Sequence, residues 1–189
     1  MANIIIITGT PGVGKTTLAK KLCQKPGFKL IELSDLVRKE RLYVRYDRAR
    51  KTYVVDETSL RKRLGTLSRS SERIVLPSHL IGRFLPRASV KLALVLRLDP
   101  VILYKRLRAR GWTKRKAWEN TEAEILDVSL QESRLLLGPR KVFEIDITRK
   151  SARAVYKESL RALSRGRTGK SALVNWLALY DPIELERTL

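Results

Sequence analysis

The sequence lacks the features that mark secreted and membrane proteins. Its single cysteine, Cys23, cannot form an internal disulfide, and its 189 residues suit one domain. No stretch approaches the roughly 20 apolar residues that are needed to span a bilayer. Residues 1–7 lack the basic segment of a signal peptide, and their apolar run is too short for one. We therefore expect a cytoplasmic protein that contacts no membrane.

Acidic residues are also scarce. Nineteen Asp and Glu residues stand against 40 Lys and Arg residues, which gives a formal net charge of +21. Such an excess favours anionic partners, including nucleotides, RNA or a ribonucleoprotein surface. The alternative is that it reflects genome bias or a hot habitat, and charge alone does not decide between the two interpretations.

The sequence does contain an alternation of apolar strands and helices. Hydrophobic residues make up 43% of the chain, which is enough for a core. Five apolar runs predict strands at residues 4–8, 28–33, 73–76, 90–98 and 142–147. Helical patterns lie between and after them, and residues 43–55 predict an extended or hairpin segment. The alternation indicates an α/β fold, a doubly wound parallel sheet flanked by helices.

Polar residues mark where the helices are expected to begin. Ser34, Asp56 and Asp99 each precede a helical pattern and are residue types favoured at the N-cap. Pro100 follows Asp99 in the position that proline prefers at a helix start. A glycine and a tryptophan at 111–112 end that helix, and two more helices are predicted at residues 114–137 and 151–163.

Residues 9–16 read Gly-Thr-Pro-Gly-Val-Gly-Lys-Thr and match the phosphate-binding pattern G-x-x-x-x-G-K-[ST]. The pattern follows a predicted buried strand and begins a helix, whose N-terminal N–H groups point at the bound anion. Lys15 is expected to neutralise the β- and γ-phosphates of ATP as a catalytic residue, and the Thr16 hydroxyl to bind Mg²⁺. The residues predicted to bind ATP here are Gly12, Val13, Gly14, Lys15, Thr16 and Thr17.

Two further arginines are candidates for phosphate contact. Arg106 and Arg110 lie four residues apart and so share one face of the helix after Asp99. Arg110 also stands at the glycine break, where a lid could carry it over the phosphates. We predict that both are catalytic and that Arg110 also contacts ATP; the alternative is a solvated basic helix.

The sequence resembles the atypical adenylate kinases of the isoenzyme-6 type. The resemblance covers roughly residues 3 to 163 and includes the loop at 9–17, Asp35-Leu36-Val37-Arg38 and Tyr53-Val54-Val55-Asp56-Glu57. It continues through the stretch from Val95 to Pro100 and the Arg-rich stretch from Arg106 to Trp112. The triplet Val174-Asn175-Trp176 resembles the tail of archaeal members.

This resemblance implies a P-loop nucleoside monophosphate kinase fold over residues 1–163, with a C-terminal tail at 164–189. It implies an acceptor-binding insert at about 32–56, where Asp35 and Arg38 would bind AMP, and a short lid at about 109–119. It also implies Mg²⁺-dependent adenylate kinase and ATPase activities. Members act in assembly of the small ribosomal subunit, with a small-subunit ribosomal protein, so that protein and rRNA are implied partners.

One position departs from the family pattern. Members carry an acidic residue two positions before a histidine, but the corresponding segment here is Pro77-Ser78-His79. Proline offers no side-chain oxygen, which puts magnesium positioning and ATP hydrolysis in doubt. His79, the only histidine, is either a catalytic residue that orients water or a structural one. Asp99 at the next strand end could help, but a helix cap is favoured.

The prediction is therefore an adenylate kinase that transfers the γ-phosphate of ATP to AMP, with ATPase activity. The alternative is a nucleotide-dependent ribosome-assembly ATPase or binding factor with weak or lost kinase activity. Pro77 is the feature that favours the binding factor.

Overall fold

The apolar runs form one parallel sheet in the computed structural model, which describes residues 3–48, 52–78, 84–165 and 174–189. Its five strands are β1 (Ile4–Thr8), β2 (Phe28–Leu30), β5 (Arg73–Pro77), β6 (Val90–Arg97) and β7 (Val142–Asp146). Their order is β2-β5-β1-β6-β7, so the first strand lies at the centre. Two other strands, β3 (Tyr43–Asp47) and β4 (Thr52–Val55), form a separate antiparallel hairpin. The predicted five-stranded parallel sheet is confirmed.

Helices cover both faces of the sheet. They are α1 (Lys15–Leu22), α2 (Leu33–Lys39), α3 (Glu57–Leu67), α4 (Pro100–Ala109), α5 (Lys114–Ile125), α6 (Val128–Leu137), α7 (Ala152–Arg165) and α8 (Pro182–Thr188). Successive side chains of a strand point to opposite faces. Accordingly, Ile5 and Ile7 pack in the core on the α1 side, whereas Ile4 and Ile6 pack in the core on the α3 side. Because β1 is buried on both faces, it is apolar throughout.

Helix starts agree with the sequence at two of the three expected caps. The Asp56 carboxylate accepts a hydrogen bond from the Ser59 N–H, and the Asp99 carboxylate accepts one from the Ile102 N–H. The expected cap at Ser34 is wrong. Helix α2 begins at Leu33, and its N-cap residue is Glu32, two residues before Ser34, with no side-chain cap hydrogen bond. Leu33 packs against the core, so tertiary packing and not a cap sets this helix start.

The long helix predicted at residues 114–137 is two helices. α5 ends at Ile125 and α6 begins at Val128, with Asp127 between them in a left-handed conformation at φ 56°. Aspartate tolerates this conformation better than most residues do, and the Asp127 carboxylate binds the buried guanidinium of Arg97. That tertiary contact fixes a turn which no local pattern indicated.

The C-terminal segment, residues 174–189, returns to the domain and packs against α5. Trp176 is buried there, and Tyr180 contacts the helix cap Asp99. Helix α7 extends two residues past the expected domain boundary at 163, and most of the expected linker at 164–170 lies outside the described residues. No helix in the described ranges is both long enough and apolar enough to cross a membrane.

Candidate active site

The phosphate-binding loop connects β1 to α1 at the carboxyl edge of the sheet. Its glycines take positive φ angles, 127° at Gly9, 98° at Gly12 and 102° at Gly14. A side chain at Gly9 would collide with the Leu96 carbonyl of β6. One at Gly12 would lie 2.9 Å from Leu107 of α4. The glycines therefore let the backbone curve tightly while it lies against β6 and α4.

Lys15 is held inside this loop. Its Nζ donates hydrogen bonds to the carbonyl oxygens of Gly9 at 2.8 Å and Thr10 at 3.1 Å. Burial lowers the pKa of Lys15 to about 8, an effect that the negative charge of Glu124 partly opposes. A cation with little access to water interacts strongly with a phosphate that enters the loop.

A cavity of about 490 Å³ opens beside the loop, within the usual size range of small-molecule sites. Its polar wall contains Gly12, Gly14 and Thr17, and the two arginines Arg106 and Arg110 stand on the α4 side. Its apolar lining is Val13, Leu18, Leu96, Ala109, Ile147, Ala152 and Val155. The structure thus brings both predicted arginines to the same cavity as the loop, with their side chains exposed to solvent.

The residue predicted to bind Mg²⁺ is Thr16, the second residue of α1, and its side chain is exposed. Magnesium prefers oxygen ligands and usually keeps several waters while it binds substrate phosphates. The described ranges contain no group of three or more His, Cys, Asp or Glu side chains that could hold a metal. A hydroxyl beside a phosphate site fits an ion that arrives with the nucleotide.

The predicted acceptor residues lie elsewhere. Asp35 and Arg38 are on α2, with 3.3 Å between Asp35 Oδ1 and Arg38 Nη2, and both side chains are exposed. Neither lines the 490 Å³ cavity. Next to α2, the β3–β4 hairpin carries three tyrosines in contact, with ring centroids 4.4 Å apart for Tyr43 and Tyr53 and 5.0 Å for Tyr46 and Tyr53.

The departure at Pro77 lies at the edge that carries the loop. Pro77 is paired with Ile7 across β5 and β1, and the next residue, Ser78, donates its N–H to the Ile7 carbonyl at 3.0 Å. Pro77 is buried and ends its strand one residue before the position level with Thr8. His79 lies outside the described residues, so its predicted catalytic role stays a prediction.

A buried ionic cluster contacts the loop, and no local pattern in the sequence indicated it. Arg97 is 1% exposed and Glu124 is 2% exposed. Arg97 Nε donates to Glu124 Oε1 at 2.8 Å, and Arg97 Nη1 donates to Glu144 Oε1 at 3.0 Å. Glu124 Oε2 accepts a hydrogen bond from the Thr10 hydroxyl at 2.5 Å. The cluster therefore fixes a residue of the phosphate-binding loop to β6 and α5.

A phosphate-binding loop at the carboxyl edge of a five-stranded parallel sheet, with a half-buried lysine in the loop and two arginines at the adjoining cavity, defines the P-loop kinase fold. Solved structures share it. Shikimate kinase from Acinetobacter baumannii is similar with a TM-score of 0.59 and 16% identity, covering 87% of this chain and 94% of that one. Gluconokinase from Sinorhizobium meliloti gives a TM-score of 0.55 at 17% identity, covering 86% and 92% of the two chains.

Comparison with related sequences shows which family of P-loop proteins the chain belongs to. The family described as an AAA domain matches residues 5–127. A Methanocaldococcus jannaschii protein named "Putative adenylate kinase" is 37% identical over 183 residues, 96% of this chain and 98% of the relative. A Saccharolobus solfataricus protein with the same name is 39% identical over 160 residues, 83% and 81% of the two chains. The chain belongs to this AAA-domain family. It also belongs with these archaeal relatives, which are named as nucleotide kinases.

Proposed function

We propose that this chain is an adenylate kinase of the isoenzyme-6 type that transfers the γ-phosphate of ATP to AMP in the cytoplasm. The observation that carries the proposal is the cavity that Gly12, Gly14 and Thr17 share with Arg106 and Arg110. The half-buried Lys15 adjoins these residues on the loop, where it is hydrogen-bonded to the Gly9 carbonyl. The name that the archaeal relatives carry supports AMP as the acceptor. The remaining evidence for AMP is the sequence pattern at Asp35 and Arg38.

In this proposal some residues of the site bind ATP and others stabilise the charge that develops during transfer. Loop N–H groups and Lys15 hold the β- and γ-phosphates, and the apolar cavity wall accommodates the nucleoside. Arg106 and Arg110 balance the charge that develops on the transferring phosphoryl group. Mg²⁺, when bound at Thr16 and the phosphates, supplies further charge neutralisation. Because the AMP phosphate is already an anionic nucleophile, the chain needs no general base.

The acceptor identity is tested by comparing AMP, CMP, UMP and GMP at equal concentration with ATP. We expect AMP to react fastest, and Arg38→Ala to raise the KM for AMP several-fold while the KM for ATP changes little. The Arg140→Ala variant is the matched control, since Arg140 is exposed and precedes β7, at the edge of the sheet opposite the loop. A clear preference for another monophosphate would overturn AMP as the substrate.

A second candidate function is an ATPase, or a nucleotide-dependent binding factor, in assembly of the small ribosomal subunit. Pro77, in place of a carboxylate at the loop edge, favours weak catalysis in such a factor. The net charge of +21 favours contact with rRNA and with a small-subunit ribosomal protein–RNA complex. Affinity for structured rRNA should fall steeply as salt rises, because phosphate contacts release counterions. If affinity for structured rRNA is negligible at low salt, the excess of positive charge is explained by compositional bias and not by RNA binding.

A further inference from the structure

The C-terminal segment, residues 174–189, reaches the same carboxylate that holds the phosphate-binding loop. Trp176 is 4% exposed, and its indole N–H donates to Glu124 Oε1 at 3.4 Å. The backbone N–H of Leu98 donates to the same oxygen at 3.2 Å, beside the shorter bond from Arg97. The indole is thus one of three donors to this oxygen of Glu124, with the guanidinium of Arg97 and the N–H of Leu98.

The other oxygen of Glu124 connects to the loop. It accepts the Thr10 hydroxyl hydrogen bond at 2.5 Å, and the Thr10 carbonyl in turn accepts one from Lys15 Nζ at 3.1 Å. A continuous line of contacts therefore runs from Trp176 through Glu124 and Thr10 to Lys15. Thr10, Glu124 and Trp176 are all buried, so water does not compete for these hydrogen bonds.

A second contact from the same segment reaches the arginine helix. The Tyr180 hydroxyl donates to Asp99 Oδ2 at 2.5 Å, while Asp99 Oδ1 accepts the Ile102 N–H at 3.0 Å and so caps α4. Asp99 also receives a backbone restraint, since its N–H donates to the Thr148 hydroxyl at 3.0 Å. Tyr180 therefore holds the cap of the helix that carries Arg106 and Arg110 to the cavity.

We infer that the C-terminal segment is a positioning element for phosphoryl transfer, with Trp176 acting through Glu124 and Thr10 on the phosphate-binding loop and Tyr180 acting through Asp99 on α4. The two residues touch no substrate; each acts on a different half of the phosphate site. The inference rests on the proposed function in one respect, since the Tyr180 half is measured in turnover. The Trp176 half is measured in ATP affinity alone.

The two halves predict different kinetic changes. Trp176→Phe keeps an aromatic ring but removes the N–H, so ATP affinity should fall about two- to tenfold, the range expected for one hydrogen bond. Tyr180→Phe removes one hydroxyl, so kcat should fall over a similar range, and by a larger factor than the KM for ATP rises. Leu179→Ala is the matched control, because Leu179 belongs to the same segment and is 66% exposed. It should match the wild type in both measurements.

A double-mutant cycle tests whether Trp176 acts through the loop. Thr10→Val removes the hydroxyl that Glu124 holds, and Thr10→Ser retains it. ATP affinity is measured by titration calorimetry without acceptor for wild type, Trp176→Phe, Thr10→Val and the double variant. We expect the double variant to bind no more weakly than Thr10→Val, whereas Trp176→Phe should still weaken binding in the Thr10→Ser background. A merely structural role would give additive losses in both backgrounds.

The inference is overturned if Trp176→Phe binds ATP like Leu179→Ala, or if the losses with Thr10→Val are additive. Should Trp176→Phe fail to fold, Tyr180→Phe carries the test, because it deletes a single half-buried hydroxyl. Wild-type kcat in that folded variant would equally overturn the inference. A wild-type chain that binds ATP but does not phosphorylate AMP contradicts the proposed function alone, since the affinity cycle still gives its result.

Discussion

The phosphate-binding loop and the region expected to bind the acceptor differ in how their polar side chains are held. Around the loop, Thr10, Arg97 and Glu124 are almost fully buried and bonded to one another. In the expected acceptor region, Asp35 and Arg38 are more than half exposed and share one 3.3 Å contact. The side chains around the loop are therefore fixed before any nucleotide binds, whereas those of the expected acceptor region can still rearrange.

This difference matters because phosphoryl transfer depends mainly on positioning and electrostatics. Groups that are already fixed lose little freedom when the reaction proceeds, whereas exposed side chains must be ordered by the substrate that they bind. We therefore expect substitutions of the buried residues around the loop to lower stability or turnover strongly. Substitutions on α2 should mainly raise the KM for the acceptor.

The largest effect is expected at the buried cluster. Arg97→Ala would leave Glu124 buried without the guanidinium that binds it, so the free energy of unfolding should drop by about 3–5 kcal/mol. The control, Arg115→Ala, removes an exposed pair on α5 and should cost no more than about 0.5 kcal/mol. Urea unfolding at neutral pH measures both. If both variants lose the same free energy of unfolding, the buried cluster is no more important for stability than an exposed ion pair.

Replacement of the loop lysine should reduce turnover next most strongly. Lys15→Ala removes the half-buried cation that is expected to neutralise the phosphates, and kcat should fall about a hundred- to a thousandfold. Initial rates with saturating ATP and acceptor measure this, with melting temperature as the check on folding. A variant that keeps near wild-type activity would remove Lys15 from the mechanism.

The lowered pKa of Lys15, about 8, predicts a pH dependence of ATP binding. Bound phosphates favour the charged lysine, so its pKa rises in the complex and binding takes up a proton above pH 8. Affinity should be constant below that pH and fall by up to about tenfold per pH unit above it. Calorimetry at pH 7, 8 and 9 measures the change, and Lys15→Arg, which does not titrate here, should show none. A flat wild-type profile would mean that Lys15 stays charged throughout.

The smallest of these effects is expected at Pro77, where a carboxylate would face the loop edge. Pro77→Asp should raise ATP hydrolysis by about tenfold, roughly 1.4 kcal/mol of barrier, if it positions the attacking water. Transfer to AMP should rise less, because AMP brings its own nucleophile. Release of inorganic phosphate and formation of ADP are followed separately, once melting temperature shows that the variant folds. Unchanged hydrolysis would point to another group, with Asp99 and His79 as the next positions to replace.

The sequence predicted the elements whose causes are local. Apolar runs located the five strands, and the caps at Asp56 and Asp99 precede their helices as expected. The loop pattern and the spacing of Arg106 and Arg110 predicted several residues that line one cavity: Gly12, Val13, Gly14, Thr17 and the two arginines. Lys15 and Thr16, also predicted, do not line it. In each case the signal lies within a few residues of the feature that it predicts.

What the sequence missed depends on contacts between distant residues. Arg97 and Glu124 are 27 positions apart, and Trp176 is 52 positions from Glu124, so no local pattern pairs them. The turn at Asp127 depends on the same arginine. At Ser34 a favourable cap residue was present, but packing of Leu33 placed the helix start earlier. Long-range packing therefore decided every feature that the patterns misplaced.

The central claim, that the γ-phosphate passes to AMP and not mainly to water, is tested most directly with ATP labelled at that phosphate. The wild-type chain is supplied with equal amounts of labelled ATP and AMP, and the label is followed in ADP and in inorganic phosphate. We expect most of the label to appear in ADP, and we expect Lys15→Ala to abolish this transfer. Label that accumulates chiefly in inorganic phosphate, at a rate that AMP does not change, would contradict it.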